Sequence, residues 1–146
     1  MSGSFILFTL AGTTYALRSR DVAHVEMVDQ VTAVPNAPDV IDGVVFSRGE
    51  VVPALNLRAR FGFAKRSYDL RTRLLVGRVE GRTIGLLVDD AREFVTLADE
   101  AIQPPSSALT GLSGQYLEGV VNAHGRLILV LNLARVVALP EPVPGV

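Results

Sequence analysis

The stretch Gly43-Val-Val-Phe-Ser-Arg-Gly49-Glu-Val-Val-Pro-Ala-Leu55-Asn-Leu57 occurs a second time as Gly119-Val-Val-Asn-Ala-His-Gly125-Arg-Leu-Ile-Leu-Val-Leu131-Asn-Leu133. Seven of the fifteen positions are identical, where average residue frequencies would give about one. In both copies, short aliphatic runs flank a central glycine, which is the pattern of a β-hairpin. The sequence therefore contains an internal duplication built on strands.

The duplication extends outward from this hairpin. Thr14 corresponds to Thr83 and Leu17 to Leu86, in segments that each contain a turn glycine. The sequence predicts one domain over residues 1–139, followed by a proline-rich tail at 140–146. The two pseudo-repeats within it cover about 5–64 and 74–139.

Apolar runs broken by Gly, Pro, Asn and Asp predict ten strands: Phe5–Leu10, Thr14–Leu17, Val22–Val28, Gly43–Ser47, Val51–Leu55, Arg73–Val79, Thr83–Val88, Ala91–Leu97, Gly119–Ala123 and Leu127–Leu131. Asn56 and Asn132 are predicted to cap short helical turns that run to Phe61 and Leu139. Thr96 is predicted to open another such turn. Ten strands in two copies predict an all-β protein in which each half forms a small barrel, because closure removes exposed strand edges.

The composition of the chain excludes several classes of function. With 146 residues and 49% hydrophobic content, the chain is expected to fold as one compact unit. It has no cysteine, so disulfides and thiolate sites are excluded. The net charge of −1 argues against nucleic-acid binding. No signal peptide and no apolar run of about 20 residues is visible. We therefore expect a cytoplasmic protein without direct membrane insertion.

No enzyme motif is present, and we expect no catalysis and no cofactor. His24 and Glu26 should share one strand face, but a metal site needs a third ligand. His124 is predicted to be a solvated turn residue, and Asp89-Asp90 to begin a turn. No metal ligand set is therefore assigned.

The segment Val40-Ile-Asp-Gly43-Val-Val-Phe-Ser-Arg48-Gly49-Glu-Val-Val-Pro53-Ala-Leu55-Asn-Leu57-Arg58 resembles the signature of the CheW family. Gly85-Leu-Leu-Val-Asp-Asp90 and Leu129-Val-Leu-Asn132 agree with it. The resemblance implies that residues 1–139 form a single CheW-like domain of two packed five-stranded SH3-like barrels. It implies a non-catalytic adaptor that couples chemoreceptors to a CheA-type histidine kinase.

The resemblance also implies partners and contact residues. One barrel would pair with the regulatory domain of the kinase, and the groove between the barrels would hold the cytoplasmic hairpin tip of a chemoreceptor. End-to-end docking of the barrels would allow ring or array assembly, recruited to membrane-associated receptor arrays. The protein-binding residues would be Val22, His24, Phe46 and Arg48. The structural turn residues would be Gly43, Gly49, Pro53, Gly119 and Gly125.

Several alternatives remain open at this stage. Arg48 could contact a partner or brace backbone carbonyls of its own turn. Phe46 stands where the family usually has Asn, and it could be a core residue or an added apolar contact. His24 stands where an acidic residue is common. The chain could accordingly serve a kinase pathway for surface motility or another output. A ligand-binding barrel would need convergent polar groups in a cavity, and a single-stranded nucleic-acid binder would need stacking aromatics in a basic groove.

Overall fold

The architecture comes from a computed structural model that describes residues 1–105 and 114–138. The predicted tail at 140–146 and the predicted helix end at Leu139 lie outside these residues. All ten predicted strands are confirmed to within three residues at each end: β1 Ser2–Leu10, β2 Thr13–Arg18, β3 Val22–Met27, β4 Ile41–Ser47, β5 Glu50–Asn56, β6 Arg73–Val79, β7 Arg82–Val88, β8 Asp90–Ala98, β9 Leu117–Ala123 and β10 Arg126–Leu131.

Two short helices follow the duplicated hairpins. They are α1 (Leu57–Arg60) and α2 (Leu133–Val137), and the side chains of Asn56 and Asn132 cap them as predicted. The helical turn predicted to open at Thr96 begins later: Thr96 continues β8 and pairs with Ser4 of β1, and a single 3-10 turn follows at Asp99–Ala101. Within the described residues, neither helix has the length and apolar character that a bilayer crossing requires.

The strands form two five-stranded sheets that we call barrel 1 and barrel 2. Barrel 1 has the strand order β8-β1-β2-β10-β9, and barrel 2 has the order β3-β6-β7-β5-β4. Each barrel therefore takes strands from both sequence repeats. The expectation that each half forms its own barrel is wrong, because the two repeats exchange strands, whereas the all-β class with two five-stranded barrels is confirmed.

The two barrels are related strand by strand. Val22 corresponds to Ala91 by the sequence offset that relates Thr14 to Thr83, and Gly43 corresponds to Gly119 in the duplicated hairpins. By the same correspondence, the residues that pair β5 with β7 in parallel are equivalent to those that pair β10 with β2 in parallel. The register irregularity between β3 and β6 also occurs at residues equivalent to those of the irregularity between β8 and β1. The predicted equivalence of the duplicated hairpins is confirmed.

β1 shows why so many strands are apolar on both faces. Its Phe5 and Leu7 pack inside barrel 1, whereas Ile6 and Phe8 belong to a larger cluster that contains residues of both barrels. Leu74 and Val76 of β6 lie in the separate cluster of barrel 2. Burying each such side chain stabilises the fold by about 1.5–3 kcal/mol. The predicted continuous core between the barrels is present.

Aromatic rings run through this shared core. Phe8 stacks on Tyr15, whose ring lies 5.5 Å from that of Phe61, and Phe61 stacks on Tyr116 at 5.1 Å. Offset aromatic pairs contribute about 0.5–1.5 kcal/mol each beyond their buried area. The Arg60 guanidinium covers Tyr116 and donates to the carbonyl of Val136 at 2.9 Å. These contacts join α1 to α2 and so fix the two barrels to each other.

Candidate functional site

The tip of the β4–β5 hairpin is a two-residue turn formed by Arg48 and Gly49. Both residues have positive φ, 48° and 81°, as a turn that matches the twist of a hairpin requires. Asn and Gly are the usual residues at the first of these positions, and an arginine there costs about 1–2 kcal/mol of backbone strain. Ala11, Glu80 and His124 precede their own turn glycines with φ of 50°, 52° and 55°, so the tight hairpins of this fold share the conformation of Arg48.

The Arg48 side chain is exposed. Within residues 1–105 and 114–138, its guanidinium makes no hydrogen bond and no ion pair. The interpretation in which Arg48 braces backbone carbonyls is therefore not supported by any contact among the described residues. The side chain is placed where another molecule can reach it.

Phe46 is exposed beside this turn. It is 77% exposed, and Val51 directly opposite it on β5 is 65% exposed. Cross-strand neighbours lie about 4.5–5.5 Å apart at Cβ, so the two side chains form one apolar patch. The alternative that Phe46 is a core residue is wrong.

His24 and Glu26 converge on Ser47, the residue that precedes Arg48. The Ser47 hydroxyl donates to Glu26 Oε1 at 2.7 Å, and His24 Nε2 lies 3.2 Å from both of those oxygen atoms. Because the hydroxyl hydrogen is used on Glu26, His24 Nε2 is the donor in its own contacts. β3 and β4 are the two edge strands of barrel 2, so this cluster joins its open edges.

Val22 begins β3 and is half-buried. It pairs with Gly77 of β6 and packs against the core shared by the barrels. Among the four predicted contact residues, Phe46 and Arg48 are thus exposed on one hairpin, His24 supports that hairpin, and Val22 lies at the border of the core.

The predicted structural residues have different roles. Gly49 and Gly125 occupy hairpin turns with positive φ. Gly43 and Gly119 instead lie within β4 and β9, where a neighbouring segment approaches the backbone closely. Pro53 lies within β5 opposite Val44. The N–H and carbonyl of Val44 bond to Thr32 on its other side, so the missing N–H of Pro53 removes no bond to β4.

An ion pair that was not predicted from the sequence connects the barrels. Arg58 Nε and Nη2 donate to the two carboxylate oxygens of Asp89 at 2.8 and 2.7 Å, and the Ala11 N–H donates to Asp89 Oδ2 at 2.9 Å. Burial by itself would raise the pKa of Asp89, but these hydrogen bonds and the nearby positive charges hold that pKa below its usual value. Asp89 was predicted only as the start of a turn, and no local pattern pointed to a partner so distant in sequence.

Asp42 organises the connection between the two repeats. Its carboxylate accepts hydrogen bonds from Asn56 at 2.9 Å and from the Tyr68 hydroxyl, and Lys65 Nζ lies 3.1 Å away. Burial and the adjacent carboxylate raise the pKa of Tyr68 far above its ordinary value. These contacts of Lys65 and Tyr68 therefore hold the exposed segment that follows α1 against barrel 2.

A polar cleft of about 190 Å³ opens between the barrels. Arg18 at its barrel 1 wall donates to Glu118 at 3.1 Å, and its guanidinium lies 5.0 Å from the centre of the Phe5 ring. The residues that line it are Arg18, Arg20, Asp21, Arg78, Val79, Glu118, Asn132, Leu133 and Ala134. The cleft lies between the barrels, where the family resemblance implies a groove.

The described residues contain no group of three side chains placed to hold a metal ion. His24 has one carboxylate neighbour, Glu26. His124 lies in the other barrel at an exposed hairpin turn, where the sequence analysis placed it. Chemically, this surface can bind another protein through apolar contact and an arginine fork.

Comparison with known proteins extends this picture. The family described as CheW-like domain matches residues 4–141. The chemotaxis protein CheW of Klebsiella aerogenes is 31% identical over 94% of this chain and 82% of its own length. The protein FrzA of Myxococcus xanthus is 30% identical over 90% of this chain and 82% of its own length.

Among solved structures, the scaffolding protein TtCheW from Thermoanaerobacter tengcongensis superposes with a TM-score of 0.86 at 27% identity, covering 95% of this chain and 90% of that one. The match therefore includes both barrels. This chain belongs to the CheW-like domain family, whose members are non-catalytic adaptors of chemotaxis signalling.

Proposed function

We propose that the chain couples chemoreceptors to a CheA-type histidine kinase. The observation that carries the proposal is the hairpin tip of barrel 2. Arg48 is exposed and without a hydrogen bond among the described residues, and it lies next to the exposed Phe46–Val51 pair. An arginine without an intramolecular partner beside an exposed apolar pair suits a protein–protein interface. Arginine and aromatic side chains are also enriched at energetically important interface positions.

The receptor side of this proposal uses the tip and the cleft. Arg48 and Phe46 would contact the cytoplasmic hairpin tip of the receptor directly. His24 would act through Ser47 by holding the hairpin in place, and Val22 would shape the adjacent wall between the barrels. This division follows from the exposure of the first two residues and the partial burial of the last two.

The kinase side rests on the pseudo-symmetry of the barrels. A regulatory domain built from similar barrels would dock end to end on one barrel of this chain. Such heterologous contacts produce rings when the rotation closes and extended arrays when it does not. The assembly would lie at the cytoplasmic side of membrane-bound receptors.

A kinase pathway with a different output is a second candidate. The relative named FrzA supports it, since that protein does not carry the chemotaxis name of the other relatives. The replacement of the family's usual Asn by Phe46 agrees with a receptor tip that offers an apolar side chain at this point. The adaptor mechanism would be the same in both pathways.

The proposal is tested by binding to the two partners separately. The purified chain is titrated with the cytoplasmic fragment of a receptor and with the regulatory domain of a CheA-type kinase from the same organism. We expect both to bind, and a saturating amount of receptor fragment should leave the kinase domain bound. Coupling requires both contacts, so failure of the chain to bind one of the two partners would refute this function.

A further inference from the structure

The duplication allows the surroundings of the two helices to be compared position by position. The Arg58–Asp89 ion pair described above lies beside α1, and together with Arg66, Tyr68 and Thr72 it lines a cavity of only about 20 Å³. Ala134, which follows Leu133 as Arg58 follows Leu57, takes the equivalent place beside α2. Arg20 takes the place of the carboxylate, because the offset between Thr14 and Thr83 also relates Arg20 to Asp89. The second copy thus lacks both partners of the ion pair, and the cleft of about 190 Å³ lies there instead.

The cleft has an excess of available positive charge. The Arg20 guanidinium makes no hydrogen bond or ion pair within the described part of the chain. Arg78 has one ion pair, a 3.7 Å contact with Glu50 in which both side chains are exposed. Exposed pairs of this kind contribute little, because water and salt screen them. Glu118, in contrast, is already bound by Arg18. Asp21 also lines the cleft, so the lining has three arginines against two carboxylates. With Glu118 bound by Arg18, Arg20 and Arg78 still exceed Asp21 by one positive charge, which is available for a partner's carboxylate.

We infer that the cleft binds an acidic side chain of the receptor hairpin tip between Arg20 and Arg78. This inference rests on the proposed function and adds the chemistry of the contact. The partner's carboxylate would supply the negative charge that Asp89 supplies in the first copy. Arginine suits this task because its planar fork binds carboxylates through two parallel hydrogen bonds.

The duplication also provides the test. The double substitution R20D/A134R transfers the Arg58–Asp89 ion pair to the second copy, so the cleft should fill with the chain's own side chains. We expect the melting temperature to stay the same or rise and binding of the receptor fragment to weaken at least tenfold. Binding of the kinase regulatory domain should stay within twofold. Arg71→Asp is the control, because Arg71 is exposed on the segment between the repeats and should leave both affinities unchanged.

A second measurement does not depend on either partner. The chain is titrated with a hexaglutamate peptide, and backbone amide shifts are followed by NMR. Saturable shifts at Arg20, Arg78 and Asn132 that disappear in R20D/A134R, with none for a hexaserine peptide, support the inference. Absence of these shifts overturns it.

Failure of the inferred acidic contact can be distinguished from failure of the proposed adaptor function. If wild-type protein binds receptor and kinase but R20D/A134R binds the receptor equally well, the acidic contact is refuted and the adaptor function stands. If wild-type protein binds neither partner, the adaptor function is refuted, and the peptide titration still decides whether the cleft binds carboxylates.

Discussion

Replacing Gly43 by alanine is expected to destabilise the protein by about 3 kcal/mol or more. A Cβ at this position would lie 2.1 Å from the carbonyl oxygen of Thr32 and 3.0 Å from Cα of Ala33. Thr32 and Val44 exchange two backbone hydrogen bonds, at 2.8 and 2.9 Å. Relief of the clash would separate these segments, combining a steric cost of about 1–3 kcal/mol with the loss of two bonds worth about 1 kcal/mol each. Denaturant unfolding measures the change.

Gly49→Ala is the matched control for this prediction. Gly49 also has positive φ, but a Cβ there would meet no atom within 4 Å. It should cost only the backbone strain of alanine in that region, about 1–2 kcal/mol. If both variants unfold at the same denaturant concentration, the close approach of the Thr32 segment does not determine stability.

Arg48→Ala is expected to weaken receptor binding by about 2 kcal/mol or more, roughly thirtyfold, as for an interface hot spot. The melting temperature should hardly change, because the guanidinium has no contact to lose within the described residues and surface substitutions usually cost within about 0.5 kcal/mol. Arg48→Lys should recover only part of the affinity, since lysine keeps the charge without the planar fork. Isothermal titration calorimetry and thermal unfolding separate the two effects.

The equivalent turn of barrel 1 provides the control. His124 occupies the position of Arg48 with nearly the same φ, 55° against 48°, and His124→Ala should leave receptor binding unchanged. A loss of stability in Arg48→Ala would favour a structural role for the side chain. Normal receptor binding by a stable Arg48→Ala protein would place the receptor site elsewhere.

The local pattern of the chain predicted the strands but not which barrel each one joins. Glycine and proline positions and aliphatic runs mark the ends of β1 to β10, because these features act within a few residues. The placement of β8 beside β1 depends on residues far apart, such as Val95 opposite Phe5. The duplication made one barrel per repeat the simplest arrangement. Strand exchange instead produces the shared core in which Ile6 and Phe8 are buried.

The candidate site was predictable to a similar degree. The hairpin signature located Phe46 and Arg48, but one-dimensional patterns could not decide whether either side chain is exposed. The cluster of His24, Glu26 and Ser47 joins strands that meet only when barrel 2 forms. Alignment of the two repeats shows one difference from the sequence alone, since Ala134 occupies the position in the second repeat that Arg58 occupies in the first. Its consequence for the cleft becomes visible only with the fold.

Sedimentation of a three-component mixture tests the adaptor account most directly. The receptor fragment and the kinase regulatory domain are mixed with and without this chain, and their association is followed by analytical ultracentrifugation. We expect the receptor fragment and the kinase domain to sediment together only when the chain is present, and we expect this co-sedimentation to be lost with Arg48→Ala. Equal association of receptor and kinase domain with and without the chain would contradict the adaptor account.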